Sequence, residues 1–163
     1  MQISLPARVA SAALLTLAAL TAASPAVRAA DTSIVPTAAE PAEDRDMAAA
    51  RQAIKDRQWT LAANHLQRVV AREPRNADAH NLLGFSYRWM ERMNESFAHY
   101  AKALEIDPRH RGAHEYVGVA YLKVGNKAKA EWHLAQLRDI CGANCEETRS
   151  LAAKVSEFRT AAR

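Results

Sequence analysis

From about residue 43 onward, apolar positions recur every three or four residues, the spacing that lines one face of a helix. These stretches are rich in Ala, Leu, Glu, Lys and Arg, all strong helix formers. The pattern is interrupted at Pro74, after VVARE, and again at Pro108, after ALEID. Proline has no amide proton and pushes the preceding residue out of the helical region, so both positions read as helix ends. They stand 34 apart. Between them the periodicity predicts one helix near Ala77–Met90 and a second near Asn94–Ile106. At the far end Leu151, Val155, Phe158 and Ala162 form a single apolar stripe, while Arg149, Lys154, Glu157 and Arg159 fall elsewhere around the helix. The expected fold class is all-α, closing with a helix over 145–163.

Sliding the chain against itself by that same interval brings three registers into line, 43–76, 77–110 and 111–144. The middle one carries His80, Leu83-Gly84, Tyr87, Ser96, Tyr100, Ala103 and Pro108. The third repeats it as His114, Val117-Gly118, Tyr121, Ala130, Leu134 and Leu137. The first is a weaker copy, with Asp46, Ala49-Ala50, Ala53, Ala62, Leu66, Val69 and Pro74. This pattern of large, Leu-Gly, Tyr, small, aromatic, Ala and Pro positions resembles the tetratricopeptide repeat (TPR) family over residues 43–144. The resemblance implies an α-solenoid of three TPR helix-turn-helix units, with TPR 1 at 43–76, TPR 2 at 77–110 and TPR 3 at 111–144. The residue choices have a physical reason of their own. Gly84 with Ser96, Gly118 with Ala130, and Ala50 with Ala62 are small where paired helices must approach closely. Gly125 supplies the turn of the third unit, whereas the second has ERM in that slot and must turn without glycine. One helical hairpin cannot cover its own apolar face, so stacking creates the core, and about three units are a practical minimum. The helix over 145–163 then reads as a cap on the exposed side of the last unit.

The first thirty residues change the picture of where such a module works. Arg8 precedes an apolar run from Val9 to about Ala23, followed by a small-residue stretch with a cut expected near Ala29 or Ala30. That order is a secretory signal peptide, residues 1–30. The run is shorter than the roughly 20 residues of a spanning helix, so no membrane span is expected after cleavage, the competing reading being an uncleaved anchor. Residues 31–42, with two prolines and few large apolar side chains, read as a flexible linker. The expected compartment is the periplasm, and the alanine- and arginine-rich composition fits a small exported bacterial TPR protein. The chain carries a formal charge of +4 from 22 basic and 18 acidic residues. Loss of Arg8 and Arg28 with the leader leaves 20 basic against 18 acidic residues, or +2. With no Lys/Arg run, a nucleic-acid partner is not expected.

Cys141, followed by Gly142, stands where the second unit has its closing Asp107-Pro108, and Cys145 comes after it in ANCEE. Four residues apart on a straight helix they would be poorly placed to bond, but Gly142 and Asn144 argue for a break between them. Asn144 is then the expected cap of the last helix, with Glu147 completing a reciprocal cap. In an oxidising compartment the default is a disulfide, a staple of roughly 2 kcal/mol for so short a loop. The alternative is a redox or soft-metal pair, serving a periplasmic metal (copper) or redox chaperone, and reduced, unreacted thiols are the third state.

Six histidines invite a metal reading that their spacing opposes. His65, His99 and His133 are 34 apart, as are His80 and His114. Equivalent slots in stacked units lie about 10 Å apart, too far to share one ion bonded at about 2 Å. They are expected to pack, leaving a cross-unit pair such as His99 with His114 as the arrangement that could hold a metal or proton. No metal site, cofactor or catalytic constellation is expected: there is no glycine elbow around a serine and no phosphate-binding glycine loop. A non-enzymatic protein follows.

The family resemblance implies that helix A residues free of packing line a concave groove for a partner's peptide or helix. On this chain those positions include Arg51, Lys55, Asn81, Phe85, Arg88, Trp89 and Lys123, with Met47, Ile54, Glu115, Val119 and Leu122 beside them. Cations interleaved with Phe and Trp suit a segment carrying carboxylates and one or two apolar anchors. Met47 and Gly112 stand at two basic positions of the family's terminal-carboxylate clamp, so that clamp is not reproduced. The competing reading is a solvated face with Trp89 packed on a neighbouring helix. The expected function is a protein–protein interaction scaffold or adaptor of the bacterial cell envelope, its oligomeric state left open, with self-association through an exposed end as a further option.

Overall fold

The computed structural model describes residues 44–161; the leader over 1–30, the linker over 31–42 and Ala162 of the final stripe lie outside the described residues. Among the described residues seven helices follow in order: α1 (Arg45–Lys55), α2 (Trp59–Arg72), α3 (Ala77–Trp89), α4 (Met93–Ile106), α5 (Arg111–Lys123), α6 (Lys127–Cys141) and α7 (Glu146–Ala161). They form three hairpins, α1/α2, α3/α4 and α5/α6, and a closing helix, an all-α solenoid. The repeat of the sequence is also the repeat of the structure. Trp59, Met93 and Lys127 open α2, α4 and α6 from one slot, and Lys55, Trp89 and Lys123 close α1, α3 and α5 from another. The prolines fall between units, as the pattern requires: α2 ends before Pro74 and α4 before Pro108.

Side chains close the helix starts that the backbone leaves open. Asp44 accepts from the amides of Asp46 and Met47, Asn76 from Ala79, His110 from Ala113 and Asn126 from Lys129. The turn inside each hairpin uses one repeated backbone state. Arg57, Glu91 and Gly125, which share one slot of the repeat, have φ of 57°, 60° and 77°. Only the third is the residue type that adopts this left-handed state without steric cost. The second unit does turn without glycine, and so does the first.

Packing between hairpins makes the core continuous. One buried cluster joins Met47, Ala50, Leu66 and Val69 to Ala79, Leu83 and Tyr87 of the next hairpin. Tyr100, Val117 and Ala120 bridge the second to the third. Leu122, Ala130, Leu134 and Leu137 then meet Leu151 and Val155 of α7, which caps the array. Gly84 marks a close approach inside a hairpin: a Cβ there would stand 2.6 Å from the ring of Tyr100, which is wholly buried. The Ser96 hydroxyl donates across the same contact to the Gly84 carbonyl at 2.7 Å.

Two expectations are corrected here. Gly118 is crowded by Leu151 of α7, at 2.6 Å from a Cβ, and not chiefly by its own hairpin. In the slot of Tyr100 the third unit has the shorter Leu134, and the capping helix fills the space. The reciprocal cap of Asn144 with Glu147 is also absent. The Arg149 amide bonds to the Cys145 carbonyl at 3.1 Å, so Cys145 stands at the helix start, while Glu147 approaches Arg111 at 3.5 Å.

The two glycines separate in a mutational test. Gly84→Ala drives a methyl into an aromatic ring held on all sides and lowers stability by about 1 to 3 kcal/mol. Gly118→Ala meets the end of a flexible leucine, and the helix-propensity gain of about 1 kcal/mol offsets most of the cost. Chemical denaturation of both variants checks the order; equal losses contradict it. Arg57→Gly relieves the left-handed arginine and raises the melting temperature, a gain of roughly 0.5 to 1 kcal/mol that a thermal melt reads directly.

Candidate interaction face

Phe85, Arg88 and Trp89 lie three and four residues apart on α3 and are therefore neighbours on its surface. The Arg88 guanidinium sits over the rings of Phe85 and Trp89, at 5.1 and 5.2 Å from their centroids. Trp89 is 48% exposed on one side and stacked on Trp59 of α2 on the other, centroids 5.2 Å apart and planes within 9°. Phe85 meets Trp59 edge-on at 5.9 Å and Tyr116 of α5 at 4.9 Å. One aromatic strip thus crosses α2, α3 and α5, with a cation laid on it.

Beside Arg88 a depression of about 450 Å³ opens among α3, α5 and α7. Val119, Leu122 and Phe158 give it apolar walls; Arg88, Lys123 and Lys154 line it with positive charge, and Glu157 with negative. Lys123 is held by Glu91 at 2.6 Å. Among the described residues neither Arg88 nor Lys154 has an ion-pair partner, and the buried Nε of Arg88 has no hydrogen-bond acceptor. A buried donor left unpaired costs roughly 1 to 3 kcal/mol. The buried Tyr100 hydroxyl also lacks a partner; burial pushes its phenol up to about 12, an effect that the nearby Arg88 opposes.

The remaining expected groove residues are placed differently. Arg51 and Lys55 are exposed on α1, and neither lines the depression. Asn81 is only 5% exposed: its Nδ2 packs toward Gly112 at the start of α5, and its Oδ1 has no hydrogen-bond partner. Met47 is buried in the core, whereas Leu122, largely buried, reaches the wall of the depression. Sequence reasoning missed Trp59, Tyr116 and Lys154, and assigned Phe158 to the cap alone. Trp59 had left a signal, since the same slot holds Met93 and Lys127 in the other units and only the first carries an aromatic.

The histidines form a second repeated arrangement, inside the hairpins. His80 Nε2 lies 3.1 Å from the Pro74 carbonyl, and its Nδ1 lies 3.0 Å from Nδ1 of His99. His114 repeats this with Pro108 at 3.1 Å and His133 at 2.9 Å. A carbonyl can only accept, so His80 and His114 donate through Nε2 and accept at Nδ1 from their partners. In the first unit Asp46 occupies the slot of His80 and accepts from His65 Nδ1 at 2.8 Å, joined by Arg68 and Arg72. Pairing is therefore within units, not between His99 and His114. Each histidine pair ties the proline carbonyl of one unit to both helices of the next. Tyr87 and Tyr121 stack on His99 and His133 at 5.5 and 5.6 Å. Burial holds His99, His114 and His133 below the ordinary imidazole value, His133 at about 4 with His114 and Lys129 adding to the effect.

Cys141 and Cys145 are joined, with sulfurs 2.03 Å and Cα atoms 5.9 Å apart. The bond spans the break between α6 and α7, where Gly142 has φ of 83°.

Comparison with known proteins bears on the fold. The sequence matches no protein-family profile and no curated protein. Among solved structures it is similar to the TPR domain of Arabidopsis OM64, with a TM-score of 0.62 and 15% identity over 69% of this chain and 92% of that domain. The all-α solenoid is thus of the TPR kind. No helix among the described residues is long and apolar enough to cross a membrane.

The lowered values of His99, His114 and His133 set a pH dependence whose sign is fixed. A folded value below the unfolded one, about 6.5, means that the unfolded chain takes the proton first. Stability is complete above about pH 6.5 and falls as the pH drops toward 4. Asp46 is shifted downward by Arg68 and then by His65, so its contribution persists until below the ordinary carboxylate range, outside that window. Thermal melts between about pH 7 and 4.5 show a falling midpoint in the wild type. His133→Asn keeps an N–H toward His114 but cannot titrate, and its curve is flatter; equal slopes contradict the assignment.

Proposed function

We propose that this chain is a non-enzymatic scaffold that holds a segment of a protein partner on the face formed by Trp59, Phe85, Arg88, Trp89 and Tyr116 and the depression beside it. The observation that carries this reading is Arg88. Its guanidinium is spread over two aromatic rings, has no ion-pair partner among the described residues and keeps one buried N–H without an acceptor. A side chain so fixed is pre-organised for a carboxylate, because little further rotamer freedom is lost on binding. Lys154 adds a second cation without an ion-pair partner among those residues, and Val119, Leu122 and Phe158 offer apolar contact. The matching partner segment carries one or two carboxylates next to an apolar anchor. Trp and Arg together are the residue types that most often dominate binding energy at interfaces. The TPR-like fold agrees with a role in protein–protein interaction, although fold alone does not name a partner. The leader-like start of the sequence supports the cell envelope, in the periplasm of a bacterium, as the place of action.

Cross-linking in the native envelope, followed by binding measurements with the captured segment, tests this. Arg88→Glu combined with Trp89→Ala weakens binding by at least about tenfold, roughly the 1.4 kcal/mol expected of a central anchor pair, while the helical circular dichroism is unchanged. Recovery of the same partners at the same affinity by the double variant overturns the assignment.

A further inference from the structure

The joint between α6 and α7 holds more than a covalent staple. Both cysteine sulfurs and one oxygen of Glu147 lie within 4.8 Å of one another, and all three residues are partly buried. Cys141 and Glu147 also line a cleft of about 730 Å³. Thr148, 2% exposed, points its hydroxyl between the sulfurs, 3.0 Å from Cys145 Sγ and 3.7 Å from Cys141 Sγ. A disulfide sulfur is a weak acceptor and a thiolate a strong one. A buried hydroxyl aimed at two sulfurs therefore suits sulfurs that exist as thiolates in one state. The amino end of α7, at Cys145, favours negative charge there.

We propose that this joint is a redox-gated zinc site, in which Cys141, Cys145 and Glu147 bind one Zn²⁺ when the sulfur–sulfur bond is reduced. Two thiolates and one carboxylate, with a fourth position for water, match the donors and four-coordination of zinc. Calcium and magnesium take oxygen ligands, and Cu(I) favours an all-soft set, so all three fit less well. Around a tetrahedral zinc the sulfurs stand about 3.7 Å apart, so they separate on reduction. Arg111, 3.5 Å from Glu147, balances the single negative charge that three anionic ligands leave on the divalent ion. The chemistry closes in two steps. A dithiol donates two electrons and two protons to the disulfide, becoming a disulfide itself and leaving two cysteine thiols. Zinc then displaces both thiol protons to solvent as it binds the thiolates and the carboxylate. The same joint is thus held covalently under oxidising conditions and by metal under reducing ones.

The test uses the full chain, oxidised and after anaerobic reduction with a phosphine that is then removed, titrated with Co²⁺ and Zn²⁺. Reduced protein is expected to take up one equivalent of Co²⁺ with a sulfur-to-cobalt charge-transfer band, displaced by one equivalent of Zn²⁺; oxidised protein shows no such band. Glu147→Gln weakens zinc binding roughly tenfold or more, whereas Glu146→Gln on the exposed neighbour does not. Three results overturn the proposal: no charge-transfer band on reduction, unchanged affinity in Glu147→Gln, or uptake that persists with both cysteines changed to serine and so belongs to the histidines. Circular dichroism of each variant verifies the helices. Should the double serine variant unfold, the comparison of Glu147→Gln with Glu146→Gln decides alone.

Discussion

Every feature of this protein depends on the close approach of two helices within a hairpin and on the next hairpin covering what remains exposed. At Gly84 the backbone of α3 lies against the ring of Tyr100, with no room for a methyl group. That contact, with the Ser96 hydroxyl donating to the Gly84 carbonyl, brings α3 and α4 close together. Burial of a large ring supplies the driving force, on the order of 2 kcal/mol or more for such a side chain. Without the neighbour, the outer face of each hairpin would remain wet, so stability and array length are linked.

Polar groups then decide how the units join. At each boundary a proline ends a helix and leaves a carbonyl near the start of the next. His80 and His114 donate to those carbonyls and accept from His99 and His133, so a joint that could have left polar groups unpaired is satisfied. In the second pair the accepting ring, His114, is held below the ordinary imidazole value by burial, and a proton on its Nδ1 would place two donors nose to nose. In the first unit the slot of His80 holds a carboxylate, Asp46, paired with His65 and two arginines. That substitution contributes to the weaker match of the first register to the repeat. There the ring of His65 meets a carboxylate instead of a second ring.

The outward side of α3 is where the array departs from its own repeat. Trp59, Phe85 and Trp89 have no aromatic counterparts at the equivalent slots of the other units, and Arg88 rests on the last two. Such departures carry individuality, since the repeated positions are committed to packing. Toward α7 the depression mixes apolar walls with cations, two of which have no ion-pair partner among the described residues. At the amino end of α7 the cysteine pair replaces the proline of earlier units, so the cap is joined to the array by sulfur chemistry.

Period, helix order, the two proline breaks and the capping stripe could all be read from the sequence, because helical periodicity and proline geometry are local properties of the chain. The left-handed turn without glycine at Glu91 was legible for the same reason: its slot is found by counting one repeat back from Gly125. Other outcomes depended on which side chains meet across helices. Asn81 is an outward candidate by its position on α3, yet the arrival of Gly112 buries it. Leu151 fills the space above Gly118 because Leu134 is shorter than Tyr100. The histidines share slots in sequence, but only packing shows that each pair closes within its hairpin onto a proline carbonyl. Periodicity assigns a residue to a face; the distance between faces, set by the bulk of every side chain between them, decides what that residue touches.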